Sequence, residues 1–136
     1  MKVYFEELSL STSKRVELVN ITEMVEEVVE RSGVKNGLCL VYAPHATAAV
    51  MANEDEPGLK QDIVKWLELE FPRDGGWRHN AIDDNASAHL ASAFSSSYRL
   101  FPVRDGELVR GTWQSIFLLE MDGPRRRKVL VEVMGE

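Results

Sequence analysis

The sequence has little cysteine, no long apolar run and no excess of basic residues. Cys39 is the only cysteine among 136 residues, so no disulfide can form within the chain, and its position between apolar neighbours favours a buried thiol over a nucleophile. No apolar run approaches the roughly 18 residues that span a bilayer. The first residues include Glu6 and Glu7, where a signal peptide would be apolar. These absences predict a cytoplasmic protein that does not enter a membrane.

The charge balance argues against a nucleic-acid partner. The chain has 22 acidic residues against 16 Lys and Arg, which gives a formal net charge of −6. Nucleic-acid binding draws most of its affinity from neutralising phosphates with Lys and Arg, and this composition does not provide such a surface. An anionic small molecule would have to be bound by a local cluster of cations.

Several common catalytic motifs are missing as well. The chain contains no Gly-x-x-x-x-Gly-Lys-Ser/Thr loop, no Gly-x-Gly-x-x-Gly and no Gly-x-Ser-x-Gly. The sequence therefore gives no support to a P-loop NTPase, a Rossmann dehydrogenase or an α/β-hydrolase.

Hydrophobic periodicity predicts an α+β fold. Short alternating or apolar runs predict strands over residues 2–11, 14–19, 38–43, 48–52, 98–103, 115–121 and 128–134, with the first two paired as a hairpin. Asp105-Gly106 is a typical two-residue hairpin turn. Helices are predicted over 23–31, 57–70 and 85–94, with Thr22 as a cap, Gly33 as a stop and Pro57 in the first turn of the second helix. We expect one domain over 1–136, with a mixed or antiparallel, β-sandwich-like core and two to three helices.

All three histidines stand in polar segments outside the apolar stripes. His45 follows a buried strand, His79 lies in the irregular stretch 73–84, and His89 is near the start of a helix. If they converge, neutral imidazoles suit a divalent metal such as zinc, with an open position for water or substrate. Acid–base chemistry or anion binding by the same rings is an equal alternative, and a lone histidine is more often structural.

Two further segments combine ligand-binding side chains. Trp113 and Gln114 join an indole and an amide, which could stack a flat ring and hydrogen-bond its edge, although a core tryptophan is the simpler interpretation. Glu120 precedes a basic run in which Arg125 and Arg127 could clamp a phosphate, although such runs are often only solvated strand ends.

The order and spacing of these segments resemble the YjbQ-like family, also described as the secondary thiamine-phosphate synthase family. The resemblance covers nearly the whole chain and rests on His45-Ala46-Thr47-Ala48-Ala49, Asn53-Glu54, Trp77-Arg78-His79-Asn80, Asn85-Ala86-Ser87-Ala88-His89-Leu90, Gly111-Thr112-Trp113-Gln114-Ser115-Ile116-Phe117 and the segment from Glu120 to Arg127.

The resemblance implies a homotrimer with a polar site near the subunit boundary, a phosphorylated small-molecule ligand and a thiamine-phosphate synthase activity that is secondary. The matching segments give candidate catalytic residues His45, Asn85, His89 and Glu120. Candidate substrate-binding residues are Thr47, Asn53, Trp113, Gln114, Arg125 and Arg127. Candidate ligands for a divalent metal, zinc or magnesium, are His45, His79 and His89. Two alternatives remain open: a non-catalytic module that binds a metal or a phosphorylated metabolite, and an interaction protein whose histidines only tie loops together.

Overall fold

Eight antiparallel strands form two sheets in the computed structural model, which describes residues 1–136. The strands are β1 (Lys2–Ser11), β2 (Glu17–Asn20), β3 (Gly37–Tyr42), β4 (Ala48–Glu54), β5 (Tyr98–Arg104), β6 (Glu107–Leu108), β7 (Gln114–Glu120) and β8 (Arg126–Gly135). One sheet has the order β1-β8-β3-β5-β6 and the other β2-β7-β4. The helices are α1 (Thr22–Ser32), α2 (Pro57–Glu70) and α3 (Ala86–Ser95), with a 3-10 turn at Arg78–Ala81. The predicted α+β class with a sandwich-like core is confirmed.

The predicted hairpin between the first two strands is wrong. β1 pairs with β8, whereas β2 pairs with β7 in the other sheet. The stretch after Ser11 crosses from one sheet to the other and does not form a hairpin turn. Thr12 is buried at this crossing. Its backbone N–H donates to the carbonyl of Arg125, and its hydroxyl donates to Glu120 at 2.7 Å.

The three-stranded sheet is covered on both faces. Between the two sheets lies the main core, to which α1 contributes Val25, Val28 and Val29 and β7 contributes Ile116 and Leu118. On its other face a smaller core packs the sheet against α2 and α3; its members are Ala49, Leu67, Ala88, Ala91, Leu119 and Met121. Because β7 is buried on both faces, its sequence alternates only weakly, as expected for a central strand.

The helices begin and end close to where the sequence predicts. Pro57 opens α2, and Gly33 ends α1 with a positive φ of 68° that favours glycine. The expected Thr22 cap is wrong: Ile21 is the N-cap, and the Thr22 hydroxyl instead accepts the backbone N–H of Ile116 at 2.8 Å. None of the helices has the length and apolar character that crossing a membrane requires.

The five-stranded sheet leaves an apolar outer face uncovered. Each of its strands alternates, so the side chains opposite the core form continuous rows such as Phe5, Glu132, Leu40 and Leu100 across β1, β8, β3 and β5. We call the exposed large apolar residues of this face the sheet-face patch: Val3, Phe5, Leu38, Tyr42, Tyr98, Leu100 and Met134. An apolar surface of this extent on a globular protein marks an interaction surface.

Candidate functional site

Three of the polar segments converge at one end of the three-stranded sheet. β4 starts at Ala48 opposite Glu120, the last residue of β7, so Thr47 and Asp122 flank the same sheet end. Helix α3 is tied there because the Ser92 hydroxyl donates to the carbonyl of Ala48 at 2.9 Å. We call this region the histidine end, comprising residues 43–47, 77–89 and 120–128.

A buried ion pair forms the base of the histidine end. Arg127 and Glu120 have side chains that are 5% and 0% exposed. Arg127 Nε donates to both Glu120 oxygens at 2.9 and 3.1 Å, and Nη2 donates to Glu120 and to Thr47 Oγ1 at 2.9 Å. Burial alone would raise the pKa of Glu120, but hydrogen bonds from Arg127 and Thr12 outweigh it and hold the pKa below its ordinary value.

The ion pair with Glu120 leaves Arg127 few donors for the substrate binding that the sequence predicts. Only Nη1 of its guanidinium has no hydrogen-bond partner within the chain. Glu120 has no open face either, since Thr12 and the backbone N–H groups of Met121 and Asp122 occupy its remaining acceptor positions. Both side chains therefore lie in the protein interior beneath the site and hold its residues in place. That either of them contacts a ligand directly stays a prediction.

A chain of hydrogen bonds connects the other arginine to a histidine. Arg125 Nη2 donates to Asp122 Oδ2 at 2.9 Å, Asn85 Nδ2 donates to the same oxygen at 2.8 Å, and Asn85 Oδ1 lies 3.1 Å from His79 Nε2. A carboxylate can only accept, so Asp122 fixes the orientation of the Asn85 amide. Because Asn85 then presents oxygen to His79, Nε2 of that imidazole must carry a proton.

The second histidine of the site packs against the first. The His79 and His89 ring centroids are 4.7 Å apart, and the rings meet edge to face. His89 also faces an open hollow lined by Ala46, Ser92, Ala93, Ser96 and Ser97. The structure therefore brings together two of the three predicted histidines and Asn85.

His45 is held separately, on the turn between β3 and β4. Its Nε2 accepts the backbone N–H of Lys128 at 2.9 Å and lies 3.1 Å from the carbonyl of the same residue. Burial, followed by the nearby positive charge of Arg127, lowers the pKa of His45, so the ring is neutral near pH 7. As an acceptor at Nε2, it carries its proton on Nδ1.

The predicted three-histidine metal site is not formed by the residues of one chain. No group of three His, Cys, Asp or Glu side chains has a geometry that could hold a metal ion. His79 offers only Nδ1, and His45 Nε2 is occupied by Lys128. Within one chain, these side chains therefore form no zinc or magnesium site.

The remaining predicted residues lie at the opposite end of the same sheet. Asn53 lies five residues after Ala48 in β4 and Gln114 lies six residues before Glu120 in β7, which corresponds to about 17–20 Å of strand. Trp113 precedes β7 and is 73% exposed. Gln114 Oε1 accepts the backbone N–H of Gly111. Within one chain, these three residues do not join the histidines.

Two residues of the site escaped the sequence analysis as site residues. Thr12 bonds Glu120 across 108 positions, and no local pattern could have identified it. Asp122 stands next to the basic run, and its acidic side chain beside Arg125 was the available signal.

The chain matches known proteins over its full length. The family model described as UPF0047 protein YjbQ-like matches residues 6–136. A UPF0047 protein from Methanothermobacter thermautotrophicus is 47% identical over 136 residues, which cover 100% of this chain and 95% of that protein. UPF0047 protein YugU from Bacillus subtilis is 34% identical and is 97% covered.

Solved structures agree with these matches. A YbjQ-like protein of unknown function from Sulfolobus solfataricus is 53% identical, with a TM-score of 0.98 and 99% of each chain covered. A YjbQ/UPF0047 protein from Clostridium acetobutylicum is 37% identical, with a TM-score of 0.91, 95% of this chain and 99% of that chain covered. The fold and the sequence thus give the same assignment, and the chain belongs to the UPF0047 (YjbQ-like) family.

Proposed function

We propose that the histidine end binds a phosphorylated small molecule and that His79 and His89 transfer protons on it. The observation that carries the proposal is the hydrogen-bond chain from Arg125 through Asp122 and Asn85, which keeps a proton on Nε2 of His79 beside a second imidazole. A general acid or base must present one defined nitrogen to its substrate, and this chain leaves Nδ1 of His79 for that contact.

Thiamine-phosphate synthesis is the reaction that the family resemblance selects for testing. The C–O bond between the pyrimidine methylene and pyrophosphate breaks as the thiazole nitrogen forms a bond to that carbon, and pyrophosphate leaves with the electron pair and takes up a proton from one of the two imidazoles. Negative charge grows on the leaving group, so cations and N–H donors aimed at it lower the barrier. Arg125 Nη1 and Arg127 Nη1, which have no partner within the chain, are donors available for this role.

Incubation of the purified protein with the two phosphorylated precursors tests this proposal. The wild type should release pyrophosphate and form thiamine phosphate, and His79→Gln or His89→Gln should lower the rate by about 100-fold or more, the usual contribution of general acid–base catalysis. Asp62→Asn, on the exposed surface of α2, is a matched control. Tight binding without turnover would favour a phosphometabolite-binding module. Unchanged turnover in both histidine variants would refute the assignment.

A homo-oligomer, a trimer by family resemblance, forms part of the same proposal. The sheet-face patch supports it, because a second copy with the same apolar surface is a partner always present. Phe5→Lys and Leu100→Lys should reduce the mass measured by light scattering to that of a monomer. Leu69→Lys replaces an apolar residue of α2 that lies outside the patch and is more exposed than either, and it should leave the mass unchanged. A wild-type monomer at micromolar concentration would contradict this proposal.

Assembly also gives a role to the residues at the far end of the sheet. We infer that Asn53, Trp113 and Gln114 act on the histidine end of a neighbouring copy, because about 17–20 Å of strand separates them from their own. If so, inactive His89→Gln and inactive Trp113→Ala chains should regain activity when they are co-refolded. Mixed oligomers without activity would show that the two groups do not share a site.

A further inference from the structure

A second cavity lies beside the histidine pair, on the side of the loop 72–85. It has a volume of about 370 Å³ and is lined by Trp77, Arg78, His79, Ala86, His89 and Leu90. This volume is in the range of pockets that hold a small ligand. The lining combines one large aromatic side chain, one guanidinium, two apolar side chains and two imidazoles.

The indole of this cavity is held rigidly although it stands on an irregular loop. Trp77 Nε1 donates to the carbonyl of Pro72 at 2.8 Å, and the ring packs so closely over Gly75 that any side chain there would collide with it. Asn80 fastens the same loop by donating to the carbonyl of Arg73 and accepting the backbone N–H of Ala86. An aromatic face that is already fixed loses little entropy when a ring stacks on it.

The cation of the cavity is unpaired. Arg78, like Arg15 and Arg104, forms no ion pair and no side-chain hydrogen bond within the chain, and it is the arginine that lines this cavity. In a chain with a net charge of −6, a free guanidinium beside an apolar cavity is a site for an anion.

We propose that Trp77 and Arg78 recognise the ligand: Trp77 stacks on a planar heteroaromatic ring, and Arg78 binds the phosphate ester that the ring carries. The imidazoles of His79 and His89 reach the edge of the same ring. This inference rests on the proposed function, and it names the ligand class of that site. It also gives the stacking role to Trp77 of the same chain, whereas Trp113 would reach the site only from a neighbouring copy.

Fluorescence titration can test both contacts, with Trp77 as the only reporter. The Trp66→Phe/Trp113→Phe background removes the two other tryptophans, which are 50% and 73% exposed, and calorimetry of the wild type with the same probes controls for the loss of Trp113. The probes are hydroxymethylpyrimidine phosphate, the corresponding unphosphorylated alcohol, and inorganic phosphate. The phosphorylated ring should quench Trp77 and bind more tightly than either fragment.

Two substitutions separate the ring from the phosphate. Arg78→Gln should weaken binding of the phosphorylated ring by about 10-fold or more and leave the alcohol unaffected, since only a charge-assisted hydrogen bond is lost. Trp77→Leu removes the fluorescent reporter, so its affinities are measured by calorimetry. It should weaken the binding of both ring probes by about 5-fold or more. Trp77→Phe should retain most of the affinity, and unchanged melting temperatures would show that the variants are folded.

The outcomes distinguish this inference from the proposed function. Binding that depends on Trp77 and Arg78 without any turnover would support the inference and count against catalysis. Turnover that depends on the histidines, with affinities unaffected by Trp77→Leu and Arg78→Gln, would overturn the inference alone. A wild type that binds only inorganic phosphate, or none of the probes at millimolar concentration, would also overturn it.

Discussion

Replacement of Arg127 by Met should destabilise the protein much more than it weakens ligand binding. The substitution keeps a long apolar side chain but removes the donors to both oxygens of Glu120. A carboxylate with 0% exposure would then lack its counter-ion, although Thr12 and two backbone N–H groups would still donate to it. Loss of one partner of a buried pair costs about 3–5 kcal/mol.

Urea unfolding followed by circular dichroism measures this cost directly. For a chain of this length, about 3–5 kcal/mol corresponds to a fall of roughly 10–20 °C in the melting temperature. The double variant Arg127→Met/Glu120→Leu is the control. It removes both charges, and we expect it to recover most of the stability, because apolar replacements of a buried ion pair are often neutral.

The pH dependence of the free energy of unfolding tests the direction in which the pKa of Glu120 is shifted. In the wild type the lowered pKa of Glu120 contributes stability above about pH 4.5, and this contribution is lost as the pH falls through the folded-state pKa. In Arg127→Met, burial without the cation should raise the pKa of Glu120, so protonation relieves the penalty and the deficit should shrink from pH 7 to pH 5. A loss below about 1 kcal/mol that is equal at both pH values would refute the reasoning.

Three further predictions concern titratable groups. The lowered pKa of His45 adds stability that is present above about pH 6.5 and lost as the pH falls; His45→Ala should therefore flatten the melting temperature between pH 7 and 5.5, and an unchanged slope would contradict this. Asn85→Leu should abolish the preference of His79 for a proton on Nε2, which long-range ¹⁵N spectra of the imidazole report. Burial raises the pKa of the Cys39 thiol to about 12, so it should react with a disulfide reagent only after unfolding.

Local chemistry explains which elements could be predicted from sequence. Helix α2 was predicted over residues 57–70 because Pro57 and one apolar stripe mark it, and the turn at Asp105-Gly106 requires the positive φ values that its residues adopt. The pairing of β1 could not be predicted in the same way. Alternation shows that a segment is a strand but not which strand lies beside it, and β8 is more than 110 residues downstream.

The choice of the ring-stacking residue shows the same limit at the site. Trp113 was predicted to bind substrate because an amide follows it at Gln114, whereas Trp77 was noted only as part of a family segment. The difference between them arises from strand length. Trp113 adjoins the start of β7, and the histidine end adjoins its finish, whereas the loop that carries Trp77 folds back onto α3.

The buried arginine, in contrast, had a readable signal in the final strand. Val129, Val131 and Val133 all face the core, and the same period of two, extended backwards by one step, places Arg127 inside and Arg126 and Lys128 outside. A guanidinium that enters a core must find a carboxylate there. Glu120 is the acidic residue of the apolar strand β7, so the sequence already indicates it as the partner of Arg127. Within the basic run only Arg127 is buried, and Arg125, Arg126 and Lys128 present an exposed positive charge.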